Sequence, residues 1–130
     1  MASILLIDDD DDLRRVMAMA LVNDGHRVRE AQDGAKGVAA FHRYSPDIVI
    51  TDIVMPEMEG IQVIREIRQR KPDVPIIAIS GNIRNDFYLR SATALGANTA
   101  LAKPFTINTL IEVVQNFVND NDIVIKEECP

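Results

Sequence analysis

Short aliphatic runs return along the chain at fairly even intervals, with amphipathic stretches between them. The runs are Ile4–Ile7, Val28 with its neighbours, Ile48–Ile50, Ile76–Ile79 and Thr99–Ala102. The first, third and fourth are continuously apolar rather than alternating, as expected of central parallel strands covered on both faces. Around Val28 the pattern His-Arg-Val-Arg-Glu is polar on alternate residues, which predicts an edge strand. Between the runs the period changes to that of a helix. Leu13, Val16, Met17, Ala20 and Leu21 form one apolar stripe, and Ile61, Ile64 and Ile67 form another, with Arg65, Arg68 and Arg70 expected to point outward. Leu89, Ala92 and Leu95 make a third stripe, stopped by Gly96. Ile107, Leu110, Ile111, Val114, Phe117 and Val118 make a fourth, with Thr106 as its N-cap. Residues 33–44 give the weakest helix, with two glycines and three alanines. Turn signals at Asp24-Gly25, Asp33-Gly34, Ser45-Pro46 and Lys71-Pro72 fall between the units.

Strand–helix alternation repeated five times predicts right-handed βαβ crossovers onto a parallel sheet, a doubly wound α/β domain. In such a sheet, ligand chemistry belongs at the carboxyl ends of the strands. The residues just past those ends are Asp8, Asp9 and Asp10 after the first, Asp52 after the third, Ser80-Gly81 after the fourth and Lys103-Pro104 after the fifth. The second ends at Glu30-Ala31, which offers no obvious chemistry. Clustered carboxylates repel unless a cation sits among them, and an open all-oxygen site suits Mg²⁺ better than Zn²⁺. Lys103 can pair with a phosphoryl oxygen, and Ser80 can donate a hydrogen bond to another. An ionised aspartate can accept phosphoryl as an acyl phosphate, and Asp52, on the central strand between the acidic pair and the Ser/Lys side, is best placed to do so. Each feature alone is weak: Asp11 and Asp12 read as a solvated helix start, Ser80-Gly81 as a turn. Their convergence on one sheet end is the signal.

Composition narrows the classes. The chain has 130 residues, of which 47% are apolar and 26% charged, a balance for one globular domain with no room for an ordinary second one. The net charge of −6 disfavours direct nucleic-acid binding. The longest purely aliphatic run is Ile4–Ile7, so no membrane span is expected, and the N-terminus lacks the basic region of a signal peptide. The single cysteine, Cys129, belongs to no metal spacing. A cytoplasmic location is expected.

The segments Ile-Leu-Leu-Ile-Asp-Asp-Asp at 4–10, Pro-Asp-Ile-Val-Ile-Thr-Asp-Ile-Val-Met-Pro-Glu-Met-Glu-Gly at 46–60, Pro-Ile-Ile-Ala-Ile-Ser-Gly at 75–81, and Gly-Ala-Asn through Lys-Pro-Phe at 96–105 resemble the receiver domain of two-component response regulators, in particular stand-alone chemotaxis-type receivers. The resemblance runs from about Ser3 to Val118, so residues 1–118 are expected to form the receiver and 119–130 a C-terminal tail. It implies a flavodoxin-like (βα)5 fold with strand order 2-1-3-4-5. It implies that Asp52 is the phosphoacceptor, that Asp8, Asp9, Asp52 and the backbone carbonyl of Val54 hold Mg²⁺, that Ser80 is the switch hydroxyl, that Lys103 pairs with the phosphoryl group, and that Pro104 follows a cis bond. The donor would be a sensor histidine kinase or phosphotransfer protein, and phosphorylation would switch the face made by helix 4, strand 5 and helix 5. No turnover enzyme is expected beyond self-phosphorylation from phosphodonors and autodephosphorylation. Output would pass to a partner protein or along a phosphorelay, from a stand-alone chain or from one excised from a larger regulator.

Two features depart from the family pattern. Where receivers usually carry Tyr or Phe, three residues before the lysine, this chain has Ala100, so readout is expected to run through helix 4, where Phe87 and Tyr88 add bulk. The tail, with Asp-Ile-Val-Ile-Lys-Glu-Glu, extends past the usual end. Val54 and Asn82, two residues after Asp52 and Ser80, resemble positions that tune acyl-phosphate lifetime, and an apolar Val54 implies a long-lived phosphoryl group. His26 and His42 fit neither metal nor phosphotransfer spacing, and His42 is expected at the surface. An alternative reading is an aspartate-nucleophile phosphatase of the haloacid dehalogenase type, on the Asp-x-Asp of Asp8–Asp10. It would leave Asp52 idle and needs an Asp-Asp motif for which only Asp120 and Asp122 are available. A phosphorylation-independent pseudo-receiver is disfavoured because every site position is filled, and a flavin site because five aspartates would repel the cofactor's phosphate.

Overall fold

The computed structural model of the chain describes residues 2–53, 60–81 and 87–120. Among the described residues ten elements alternate strictly: β1 (Ser3–Ile7), α1 (Asp11–Asn23), β2 (Arg27–Ala31), α2 (Gly34–Tyr44), β3 (Ile48–Asp52), α3 (Gly60–Arg70), β4 (Ile76–Ser80), α4 (Phe87–Leu95), β5 (Thr99–Ala102) and α5 (Ile107–Asp120). All neighbouring strands pair in parallel, in the order β2-β1-β3-β4-β5. The polar pattern around Val28 therefore does mark an edge.

The continuous apolar runs are explained by the pleat. Successive side chains alternate between faces, so Leu5, Ile7, Val49, Ile76 and Ala78 enter one core with Val38 and Phe41 of α2, Val63, Ile64 and Ile67 of α3, and Ala92 of α4. Ile4, Leu6, Ile48, Ile50, Ile77 and Ile79 enter the other, against Met17, Ala18 and Leu21 of α1 and Leu110, Val114 and Val118 of α5. Two cores sandwich one sheet, which leaves only its strand ends free for chemistry.

Helix ends follow local rules. Asp10 caps α1 by accepting from the Leu13 amide at 3.1 Å, Asp33 caps α2 through Lys36 at 2.8 Å, and the Thr106 hydroxyl caps α5 through Thr109 at 3.1 Å. The weak α2 is a packing solution: a methyl group on Gly37 would collide with the buried side chain of Ile7, so the glycine lets helix and sheet approach closely. Gly96 after α4 has φ +127°, the region glycine favours.

Two expectations need correction. Val16 is half exposed at 51%, and Ala18 takes its place inside. Val16 and Leu21 are five residues apart, about 140° around the helix, so both cannot face the sheet. Arg68 does not point outward. Its Nε donates to the Gly96 carbonyl at 2.9 Å, and its terminal nitrogens donate to the Val74 carbonyl at 2.6 Å and Asn98 Oδ1 at 2.7 Å. Burial lowers its pKa, partly offset by Asp73. An arginine at the end of a helix serves here as a clasp between α3 and the loops flanking β4 and α4. His42 is exposed, as expected.

Candidate phosphoacceptor site

Four strands end together and deliver different chemistry to one point. The β1 ladder stops at Ile7, and the next amide, of Asp8, still donates to the Ala31 carbonyl at 3.1 Å. This places the Asp8 side chain, 0% exposed, at the mouth of the sheet. Its Oδ1 accepts from the Asp10 amide at 2.9 Å, turning the chain into α1. Asp52 closes β3 opposite Ile79 and is 6% exposed. Carboxylate oxygens of Asp8, Asp9 and Asp52 lie within 4.8 Å of one another, with Asp9 on the solvent side.

Lys103 arrives from β5 and completes the cluster. Its Nζ lies 3.1 Å from Asp52 Oδ2 and 3.4 Å from Asp8 Oδ2. The Lys103 amide donates to the Ser80 carbonyl at 2.7 Å, which extends the β4–β5 pairing to the site, and the Lys103–Pro104 peptide is cis. Ser80 is buried at the end of β4, beside this junction. Next to Lys103 an open depression of about 460 Å³ is lined by Leu13, Gly81, Lys103, Pro104 and Phe105. Val54 and Asn82 lie outside the described residues, as do the side chains of Phe87 and Tyr88 and the stretch 121–130.

The electrostatics reflect crowding. Burial, reinforced by the charge of Asp52, pushes the Asp8 carboxyl up to about 6, against the opposing Asp10 amide and Lys103. Burial disfavours the charged form of Lys103, but Asp52 and Asp8 outweigh it and raise its pKa. The ammonium stays charged at neutral pH, while the metal-free Asp8 carries its charge at a cost. The three carboxylates of Asp8, Asp9 and Asp52 are a hard-oxygen set, and the Asp8 charge, disfavoured by burial and then by Asp52, would be eased by a cation. Both properties fit Mg²⁺.

Two contributors were not evident from residue spacing. Arg14 is buried at 6% exposure on α1, in line with Met17, Ala18 and Leu21, which follow it by three, four and seven residues. Its terminal nitrogen donates to the Asp8 carbonyl at 2.8 Å and to Asp11 at 2.7 Å, and its Nε donates to Glu30 at 3.0 Å. Burial opposes its charge, but Asp11 and Glu30 prevail and its pKa is raised. The other is Gly60, the first residue of α3. Its amide donates to the Ile53 carbonyl at 2.6 Å, and a methyl group there would overlap the Asp52 carbonyl oxygen and Ile53 Cα. These obstacles are backbone of the site strand, so Gly60→Ala is expected to destabilise the chain by about 3 kcal/mol in urea unfolding, whereas an exposed glycine-to-alanine change in a helix is usually favourable.

The model of the response regulator receiver domain matches residues 4–115. The chain belongs to the response regulator receiver family. Receivers are phosphoacceptors of two-component signalling, and that is the class of function this domain carries. It is 34% identical to the chemotaxis protein CheY of Bacillus subtilis over 117 residues, covering 89% of this chain and 97% of that protein. It is 33% identical to the sensor kinase CckA of Brucella abortus, covering 93% of this chain but 13% of that one. The crystal structure of the receiver domain of NtrX from Brucella abortus superposes with a TM-score of 0.84 at 32% identity, over 89% of this chain and 98% of that one. Of several other curated relatives the chain spans less than half the length. The observed strand order and five helices are those of the flavodoxin-like receiver fold. Nothing favours the phosphatase alternative, and no described helix is long and apolar enough to cross a membrane.

Proposed function

We propose that Asp52 is the residue that takes the phosphoryl group, from the phosphohistidine of a sensor kinase or phosphotransfer protein. The observation that carries this is the position of its carboxylate: buried, at the end of the central strand, with a lysine ammonium at 3.1 Å and two further carboxylates within reach of a shared cation. In the transfer an Asp52 oxygen attacks phosphorus, a P–O bond forms and the P–N bond to the donor imidazole breaks. Lys103 stabilises charge on the transferred group by exchanging its Asp52 contact for a phosphoryl oxygen, and the Ser80 hydroxyl donates to another. Asp8, Asp9 and Asp52 would hold Mg²⁺, joined by the Val54 carbonyl that the family resemblance implies. When bound, Mg²⁺ neutralises part of the negative charge of the cluster and of the incoming phosphoryl group.

The donor reaches the site over α1. Its first turn adjoins the carboxylates, and Val16, Met19 and Val22 are 51%, 67% and 53% exposed on it, an apolar row suited to a protein partner. The output surface is the face of α4, β5 and α5, for a partner whose identity the chain does not carry. Ala100, paired with Ala78 and packed on the core, leaves no aromatic rotamer to report the switch, so the change is transmitted through α4. In this reading the domain is a signalling switch of residues 1–118 with a tail, cytoplasmic, catalysing at most its own phosphorylation and dephosphorylation.

The test is intact-mass analysis and peptide mapping after incubation with acetyl phosphate, with and without Mg²⁺. The expected result is one phosphoryl adduct, Mg²⁺-dependent and mapping to Asp52. An adduct on Asp8 with turnover of phosphate esters would favour the phosphatase reading, and no adduct at all would leave a binding module.

A further inference from the structure

A buried arginine beside a cation-binding cluster is unexpected on charge alone, since it repels the cation. Its geometry gives the reason. The β1 ladder has ended before Asp8 and Asp9, and α1 begins only at Asp11, so the main chain carrying the two carboxylates belongs to no regular element. Two bonds hold it across the sheet end: the Asp8 amide donates to the Ala31 carbonyl, and the Asp8 carbonyl accepts from Arg14. The peptide plane between Asp8 and Asp9 is therefore oriented by a guanidinium. That guanidinium is itself held at two further points, by Glu30 at the end of β2 and Asp11 in the first turn of α1.

We infer that Arg14, braced by Glu30, is a positioning residue for cation binding: it sets the Asp8–Asp9 peptide so that both carboxylates can meet one ion. The inference rests on the reading that this cluster holds Mg²⁺. Only a planar fork with several fixed donors can serve the Asp8 carbonyl, Asp11 and Glu30 together, and lysine cannot replace it. The side chain touches neither the phosphoryl group nor the cation. Groups that orient metal ligands typically change affinity by ten- to a hundredfold when removed.

The experiment is calorimetric titration of the full chain with Mg²⁺ alone, for wild type, Arg14→Met, Arg14→Lys, Glu30→Ala and Glu30→Gln, with thermal unfolding measured in parallel. Mg²⁺ affinity is expected to fall about tenfold in both Arg14 variants and severalfold in Glu30→Ala. Glu30→Gln is expected to stay within about twofold, because the amide oxygen still accepts from Nε. With acetyl phosphate, the Mg²⁺ concentration for half-maximal rate should rise while the rate at saturating Mg²⁺ is kept. Glu30 is partly exposed, so its variants remain informative if those at Arg14 do not fold. Unchanged affinity in the Arg14 variants and in Glu30→Ala, or tighter binding as expected from loss of a positive charge alone, would overturn the inference, even where thermal stability falls. A wild-type chain that binds no Mg²⁺ overturns it together with the reading beneath it, and the wild-type titration tells these two failures apart.

Discussion

Asp8→Asn is expected to make the metal-free chain more stable at pH 7, by about 2–3 kcal/mol, while abolishing most of its Mg²⁺ affinity. Asp8 is wholly buried and its carboxyl is pushed from 3.8 up to about 6, chiefly by burial and then by Asp52. A carboxyl whose folded pKa lies above its unfolded value binds a proton more tightly in the folded state. Its contribution to stability is complete below about pH 4 and is lost as pH rises through about 6, at roughly 1.4 kcal/mol per pH unit. Above that range the native chain holds a charge it would rather not bury. Asparagine removes the charge and keeps an oxygen for the Asp10 amide, so the variant escapes the loss. The check is urea unfolding in a chelator at pH 5 and pH 7. The advantage of the variant should be larger at pH 7, and adding Mg²⁺ should raise the wild type alone. A variant less stable than wild type at pH 7 would contradict the argument.

The fold was legible because its signals are local. Ile4–Ile7 and Ile76–Ile79 are apolar on both faces, and that alone places them centrally. The site was legible for a similar reason: strand ends in a parallel sheet meet at one edge, so Asp8, Asp52 and Lys103 could be brought together without knowing any contact. Arg14, Glu30 and Arg68 were not legible. Arg14 and Arg68 bury a guanidinium against carbonyls and carboxylates from distant segments, and a periodicity reading sends every arginine to solvent. Glu30 closes a strand end like the other site residues, but its value lies in the arginine it holds rather than in its own chemistry. Gly60 belongs to the family-like 46–60 segment, yet its need for close approach to the Asp52 backbone appears only when the start of α3 lies against the end of β3.

Asp52→Asn is expected to accept no phosphoryl group, from acetyl phosphate or from a phosphorylated kinase, because a neutral amide is not a nucleophile toward phosphorus. Activity need not be lost through the fold. The amide oxygen can still face Lys103, and one negative charge leaves a crowded site, so the metal-free variant should be somewhat more stable than wild type. The two carboxylates are coupled, since Asp52 is one cause of the raised Asp8 carboxyl. Removing either relieves the same repulsion, so the gains in Asp8→Asn and Asp52→Asn should not add in the double variant. A shortfall of about 1 kcal/mol from additivity, read by urea unfolding in chelator, would be the signature of their direct interaction. Full additivity would mean that the Asp8 carboxyl is raised by burial without a contribution from Asp52. Phosphoryl uptake by Asp52→Asn at the wild-type rate would instead move the acceptor elsewhere, with Asp8 first to be mapped.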